Sequence, residues 1–357
     1  MIRRLNLVNF RSYRTIELQI EKPLVVIMGP NAVGKTNLLE SIYVASTTHS
    51  FRAKDHDMIH YGETFYRVVA SFEEGDQEVR FETEGGSHRK SALVDSAKRP
   101  LTSLTGLNPV TIFEPNDMNL LVGPPESRRK YLDVILVQIS HTYRQALVSF
   151  RKILKQRNSL IHQAKLGAQL NNLDDQLFVW DLQMIEPMTV IIESRNDFLE
   201  SLSPLVASYY KKISGREEKI TLKYLPSVTA KRDNYLKAIK DNMKKDIQAG
   251  FTTLGPHRDD FMAYFKEHEL GLVASRGELR TIMLALKLAE MDYIERKSKK
   301  RPLLLLDDVF SELDASRRSF LIDNIAAQQT IITTTDIDDI LKQDYQLIDL
   351  SGAGYVA

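Results

Sequence analysis

The 357-residue chain contains no cysteine. Disulfides, thiolate metal sites and cysteine nucleophiles are therefore excluded. It also lacks any run of about 18 consecutive apolar residues, the length a membrane-spanning helix requires. Arg3 and Arg4 resemble the basic start of a secretion signal, but Asn6, Asn9 and Arg11 interrupt the apolar stretch that should follow. A cytoplasmic location with no membrane partner is the expectation. No internal repeat or low-complexity tract is present. With 43% hydrophobic and 27% charged residues, the chain can bury one large core or two ordinary ones. It is neither a stapled mini-protein nor a disordered tail.

Net charge is also small, at +1, but it is unevenly spread. Residues 128–165 carry nine Lys or Arg against one acid, and residues 206–245 carry eleven against four, which leaves the remainder at −14. The middle of the chain is basic and the two ends are acidic. Such stretches are either solvated helix faces or a surface for a polyanion.

Patterning gives an α/β frame interrupted by helices. Ile16, Leu18 and Ile20 alternate with polar neighbours, as in a half-buried strand. Leu24-Val25-Val26-Ile27-Met28 is a continuous apolar run, as in a strand covered on both faces. A helix is expected from Lys35 to about Ser46, and hairpins over 64–100 with turns at Glu74-Gly75-Asp76 and Gly85-Gly86. Further strands are expected at 303–306 and 330–333, with helices at 277–296 and 315–328. From Leu132 to Ile153 apolar residues recur at alternating steps of four and three, and after a gap at Arg157 they resume at Leu160. That stripe predicts one helix over 126–165, roughly 60 Å long. A second stripe from Leu177 to Tyr209 predicts an antiparallel return, interrupted or kinked at Pro187 and Pro204, with 167–172 as the tip.

Gly29-Pro30-Asn31-Ala32-Val33-Gly34-Lys35-Thr36 fits G-x-x-x-x-G-K-[ST] in full, after a predicted strand and before a predicted helix. In such a P-loop, glycines let backbone N–H groups and a helix N-terminus close on phosphate. Lys35 is expected on the β- and γ-phosphates of ATP, and the Thr36 hydroxyl on Mg²⁺. The strand Leu303-Leu304-Leu305-Leu306 ends in Asp307-Asp308. Beside a P-loop, Asp307 is expected to share the Mg²⁺. Asp308, on the opposite face by the period of two, is expected to act as general base on the attacking water. Alone, the same residues could be a strand end followed by a helix cap. Ser275-Arg276-Gly277, 30 residues before Asp307, is either a helix cap or an anion-binding signature.

Together these motifs resemble the ATPase heads of the SMC-like ABC family, in which a Ser-x-Gly signature meets the γ-phosphate held by a second protomer. Ser311-Glu312-Leu313-Asp314 then fits a D-loop. Three further stretches narrow the resemblance to the RecF family of bacterial recombination mediators. They are Asn9-Phe10-Arg11-Ser12-Tyr13, the long run from Pro115-Asn116-Asp117 to Arg128-Arg129-Lys130-Tyr131-Leu132-Asp133, and Gly255-Pro256-His257-Arg258-Asp259-Asp260-Phe261. The resemblance spans essentially the whole chain. It implies an α/β, ABC-type P-loop ATPase head built from 1–115 plus 250–357, with a helical arm of 116–249 inserted. It implies ATP contacts from residues 29–36 and from Arg11, a trans signature of Ser275, Arg276 and Gly277, and D-loop roles for Ser311 and Asp314. It further implies an ATP-dependent homodimer in DNA repair and replication, which binds gapped or junction DNA and works with RecR and RecO to load RecA. Hydrolysis would be slow and act as a switch.

Arg128, Arg129 and Lys130 are the residues expected to contact DNA phosphates, against the alternative that the arginines pair with acids. Three features depart from the family pattern: Glu278 replaces the usual Gln, no glutamine marks a Q-loop near 114–117, and Thr333-Thr334-Thr335 stands where transporter ATPases carry a histidine. The last disfavours a transporter subunit. A role limited to bridging other proteins is the remaining rival.

Overall fold

The computed structural model describes residues 1–167, 172–229, 232–325, 327–336 and 344–352. The chain forms two compact units. The first comprises Met1–Met118 and Arg280–Ala357, and the second comprises Asn119–Leu279.

At the centre of the first unit is a five-stranded parallel sheet, in the order Gln346–Asp349, Leu24–Met28, Thr330–Thr334, Leu303–Asp307 and Val110–Phe113. Leu303–Asp307 and Thr330–Thr334 are buried at every residue. Strands covered on both faces need continuous apolar or β-branched sequence, which these supply. The register sets Ile27, Thr333 and Asp307 side by side near the carboxyl ends of three neighbouring strands. Ligands of open parallel sheets sit at such ends.

A six-stranded antiparallel sheet completes the unit, in the order Tyr13–Gln19, Ile2–Phe10, Phe65–Phe72, Gly75–Glu84, Ser87–Val94 and Ala97–Arg99. Along Phe65–Phe72 every second residue is buried, so one face of this sheet packs inward. Helix Lys35–Thr47 touches strands of both sheets and is buried at 11 of its 13 residues. Enclosure on all sides explains why it shows no polar stripe.

The second unit packs helices Pro125–Ile139, His141–Lys165, Leu173–Ser214 and Arg232–Ala249 with a three-stranded antiparallel sheet of His268–Glu269, Asp260–Phe265 and Ile220–Leu225. The expected boundary at 250 therefore moves. Residues 250–279 cluster with the second unit because Asp260–Phe265 pairs along its whole length with Ile220–Leu225.

The single helix expected over 126–165 is two helices. Ser140 between them is extended (φ −135°, ψ 112°), and its hydroxyl accepts a 3.1 Å hydrogen bond from the Tyr143 N–H. This N-cap starts a new helix without breaking the spacing of the apolar stripe. Conversely, Leu173–Ser214 runs unbroken for 42 residues, about 63 Å, with Pro187 and Pro204 inside it. Leu177, Met184, Met188, Ile191, Phe198 and Leu202 are fully buried along it. At about 1.5–3 kcal/mol each, they outweigh the ~3 kcal/mol cost of a helix-interior proline. Arg157 pairs with Asp181 and Tyr143 with Arg195, so partners descend one helix as they ascend the other. The two long helices are antiparallel. Residues 168–171 of the expected tip lie outside the described residues.

Candidate nucleotide-binding site

The loop after Leu24–Met28 is shaped by backbone that few residues tolerate. Ala32 (φ 66°) and Gly34 (φ 107°) both occupy the left-handed region. A side chain on Gly34 would also come within 2.6 Å of the Tyr13 hydroxyl and 2.9 Å of Ser12 Oγ. Those two residues buttress the loop. The Tyr13 hydroxyl donates to the Gly34 carbonyl at 3.1 Å, and Asn37 Nδ2 donates to Ser12 Oγ at 2.8 Å. The Asn9-to-Tyr13 stretch thus holds the P-loop from behind.

A cleft of about 230 Å³ opens against the loop, lined by Asn31, Ala32, Gly34, Lys35, Thr36, Asn37, Arg52, Asp307 and Asp308. Lys35 Nζ donates to the carbonyls of Gly29 (2.6 Å) and Pro30 (3.0 Å). Burial lowers the Lys35 pKa, against the opposing pull of Asp308 and Asp307. Thr36 Oγ1 and Thr333 Oγ1 both donate to Asp307 Oδ1 at 2.8 Å. Thr333 is the middle strand's contribution, one of the threonines whose hydroxyls stand where transporter ATPases carry a histidine.

Asp308 is placed differently from the period-two expectation. The strand ends at Asp307, and Asp308 turns into the left-handed region (φ 51°) at the start of the 3-10 turn Val309–Glu312. Its N–H donates to Thr333 Oγ1 at 3.0 Å, and its residue lines the same cleft as Asp307. Burial raises the Asp308 pKa, reinforced by Asp307 and Glu312 and opposed by Lys35.

Arg11 does not line the cleft. Its guanidinium forms a bidentate pair with Glu40 (both contacts 2.8 Å) and donates to the Asp57 carbonyl at 2.7 Å. Arg52 does line it, held by Glu40 and by Asn37 Oδ1 at 2.6 Å. No motif spacing flagged Arg52. Its signal was a lone arginine after the P-loop helix. Burial alone would raise the Glu40 pKa, but hydrogen bonds from Arg11, Arg52 and Ser50 outweigh it and hold the carboxylate low.

The D-loop residues are turn-forming here. Ser311 Oγ donates to the Asp308 carbonyl at 2.7 Å, and Asp314 caps helix Ala315–Ile325 by accepting the Arg317 N–H at 3.0 Å. In the Q-loop region, Asp117 accepts the Glu114 N–H at 2.9 Å and pairs with buried Lys287 at 3.1 Å.

In the second unit, Ser275 precedes helix Arg276–Ser298. Its N–H and hydroxyl both donate to Glu278 Oε2, at 2.8 and 2.7 Å. Arg128 corrects an expectation: it is buried, bidentate to Asp260 at 2.7 and 2.7 Å, and donates to the Gly123 carbonyl. Three of its five N–H donors are committed within the protein, which matches the alternative that it pairs with an acid. Arg129 is half-buried and donates to the Asp259 carbonyl, whereas Lys130 is exposed. His257, whose neighbours have the residue types of a metal site, contacts the Thr252 carbonyl through Nε2. No metal-binding group of His, Asp and Glu occurs among the described residues. No helix among them is long and apolar enough to cross a membrane.

Comparison with known proteins agrees with this architecture. The sequence profile of the RecF/RecN/SMC N terminal domain matches residues 1–351. The chain is 37% identical over 338 residues to the DNA replication and repair protein RecF of Moorella thermoacetica, covering 94% of this chain and 90% of that protein. It is 34% identical over 353 residues to the RecF of Agathobacter rectalis, covering 97% and 95%. The solved structure of the recombination mediator protein RecF with ATPrS, from the RecFOR pathway, matches with a TM-score of 0.87 at 29% identity, covering 98% of this chain and 96% of that one. An Smc head domain from Pyrococcus furiosus shares the fold at a TM-score of 0.52 and 15% identity, covering 98% of this chain and 92% of that one. The chain has the fold of an ABC-type ATPase head and belongs to the RecF family of DNA replication and repair proteins.

Proposed function

We propose that this chain is an ATP-dependent DNA-binding switch, which dimerises on Mg-ATP, engages gapped or junction DNA and helps RecR and RecO load RecA. The observation that carries the reading is the P-loop cleft. Lys35 rests on two neutral carbonyls, within the field of Asp307 and Asp308 at the same ends of the sheet. An ammonium held this way lacks a charged hydrogen-bond partner, and a phosphate supplies one. The relatives' ATP-bound forms support the same ligand.

In this reading Lys35 leaves the carbonyls for the β- and γ-phosphates, while backbone N–H groups of residues 31–36 hold the phosphate oxygens. Thr36 and Asp307 offer hard oxygen donors together, which fits Mg²⁺. The ion, when bound, neutralises charge on the phosphates. Thr333 orients Asp307 through its hydroxyl and Asp308 through that residue's N–H. Asp308 accepts the proton of the attacking water. Its raised pKa makes it a better base than an ordinary aspartate.

The second copy's Ser275, Arg276 and Gly277 close over the γ-phosphate, flanked by the D-loop residues Ser311 and Asp314. Leu272 and Val273, which stand just before Ser275, are exposed, as is Val122 beside Gly271. An exposed apolar group next to the signature suits a surface covered on association. With Arg128 internally paired, phosphate contacts pass to exposed cations such as Lys130, Lys152, Lys155 and Lys240. Their affinity for DNA will fall steeply with salt.

Light scattering on a sizing column, with and without Mg-ATP and a gapped duplex, tests the proposal. A dimer that forms and retains DNA only with Mg-ATP, and that Lys35→Ala abolishes, is expected. DNA binding indifferent to nucleotide, or no dimer under any condition, would overturn it.

A further inference from the structure

The signature segment holds an anion of its own. Glu278 sits one turn into helix Arg276–Ser298 and reaches back to Ser275. Its Oε2 accepts both the Ser275 hydroxyl at 2.7 Å and the Ser275 N–H at 2.8 Å, and the Glu278 N–H returns a 3.3 Å bond to Ser275 Oγ. This is a capping box, with each partner satisfying a donor of the helix end. A serine hydroxyl has one proton to donate. While Glu278 accepts it, no phosphate oxygen can.

The other carboxylate oxygen has a second partner in reach. Glu278 Oε1 lies 3.8 Å from Lys266 Nζ, which also pairs with Glu218 at 3.2 Å and stands over the Phe265 ring. Hydrogen bonds from Ser275, with the nearby charges of Lys266 and Arg216, hold Glu278 in its ionised form against the effect of burial. The carboxylate is therefore a full charge placed where the reading above puts the partner's γ-phosphate.

We propose that Glu278 is an internal competitor for the signature's anion site: it occupies the Ser275 donors in the free protomer and must swing to Lys266 before a second copy's phosphate can bind. This rests on the sandwich reading and deepens it, because it makes association of two copies weaker than the contacts alone would give. The outcome is a switch that separates readily once the phosphate is lost. Lys266 is the positioning residue, since it receives the displaced charge.

The test is sedimentation equilibrium of the full chain with Mg²⁺ and a slowly hydrolysed ATP analogue. Glu278→Gln keeps a capping box, because Gln serves at that position as Glu does, and removes only the charge. Its dimer should be tighter by at least roughly fivefold, the scale of one unit-charge repulsion at about 4 Å in fully water-like surroundings. Lys266→Met should loosen the dimer by roughly threefold, as the displaced carboxylate loses its alternative partner. Ser275→Arg should abolish the dimer. If the wild type dimerises, Ser275→Arg does not, and Glu278→Gln is no tighter than the wild type, the competitor role is wrong and the sandwich stands. If Ser275→Arg dimerises as the wild type does, or if no variant dimerises, the sandwich reading fails and takes the competitor role with it.

Discussion

The molecule carries two sets of buried charge, and they are completed in opposite ways. In the second unit Arg157 is fully enclosed, bonded to Asp181 at 2.6 Å and to Asp246 and Thr252 at 2.8 Å each. Arg195 is equally enclosed, with Asp133, the Tyr143 hydroxyl and the Pro256 carbonyl as partners. Burial opposes both charges, yet their acidic and phenolic neighbours hold both pKa values above the ordinary arginine value. In the first unit Lys35 leans on carbonyls, its pKa falls, and the pKa of Asp308 rises. At the Lys35 cation burial wins over the internal partners, the reverse of the outcome at the two arginines. Charge answered from within locks helices together, whereas charge left short of a partner waits for a ligand.

The strongest way to break that contrast is to remove a completed charge. Arg157→Ala leaves Asp181 and Asp246 buried without their cation, and should lower stability by about 3–5 kcal/mol in urea unfolding. Nucleotide affinity of the protein that remains folded should be unchanged. Arg157→Ala with wild-type stability would mean that the network is not a lock.

The converse substitution belongs in the cleft. Lys35→Ala removes a charge the fold does not itself satisfy, so melting temperature should hold. ATP affinity should fall by about a hundredfold, the worth of two charged hydrogen bonds. Asp308→Asn should likewise keep its melting temperature and its ATP binding. It should lower turnover by at least about a hundredfold, which single-turnover hydrolysis would measure. Full turnover in that variant would remove Asp308 from the role of base.

The pH dependence sharpens the same point. Because the Asp308 pKa is raised, the residue takes up a proton at a higher pH than an ordinary aspartate. Hydrolysis at saturating Mg-ATP should decline on acidification before nucleotide binding does. A turnover profile flat down to the ordinary carboxylate range, about pH 4, would contradict it. The smallest expected effect is on DNA. Arg128→Gln should leave DNA affinity in a filter-binding assay unchanged while reducing stability, since its guanidinium is committed to Asp260. A clear loss of DNA affinity at full stability would return Arg128 to the DNA surface.

The cleft was largely legible because its chemistry is local in sequence. A P-loop must follow a strand and open a helix, and eight consecutive residues state both. The strand Leu303–Asp307 was equally plain, being an apolar run that ends in acids. What sequence did not reveal depends on pairing across long separations. Asp260–Phe265 reads as a return to α/β grammar, but its partner is Ile220–Leu225, which places it in the second unit. Arg52 reaches the cleft because Glu40 and Asn37, both on the helix after the P-loop, hold it there. The break at Ser140 is a single cap inside an intact apolar stripe, and periodicity is blind to it. Asp308 defeated the period-two argument because the strand ended one residue earlier.

The cleft at the ends of Leu24–Met28, Thr330–Thr334 and Leu303–Asp307 is proposed above to take a magnesium nucleotide. Its most direct test is a calorimetric titration of the full chain with ATP in Mg²⁺, in parallel with Lys35→Ala and with Mg²⁺ removed by EDTA. Saturable binding at one site per chain is expected, weakened without Mg²⁺ and about a hundredfold weaker in Lys35→Ala. Equal binding by the wild type and Lys35→Ala, or none by either, would contradict it.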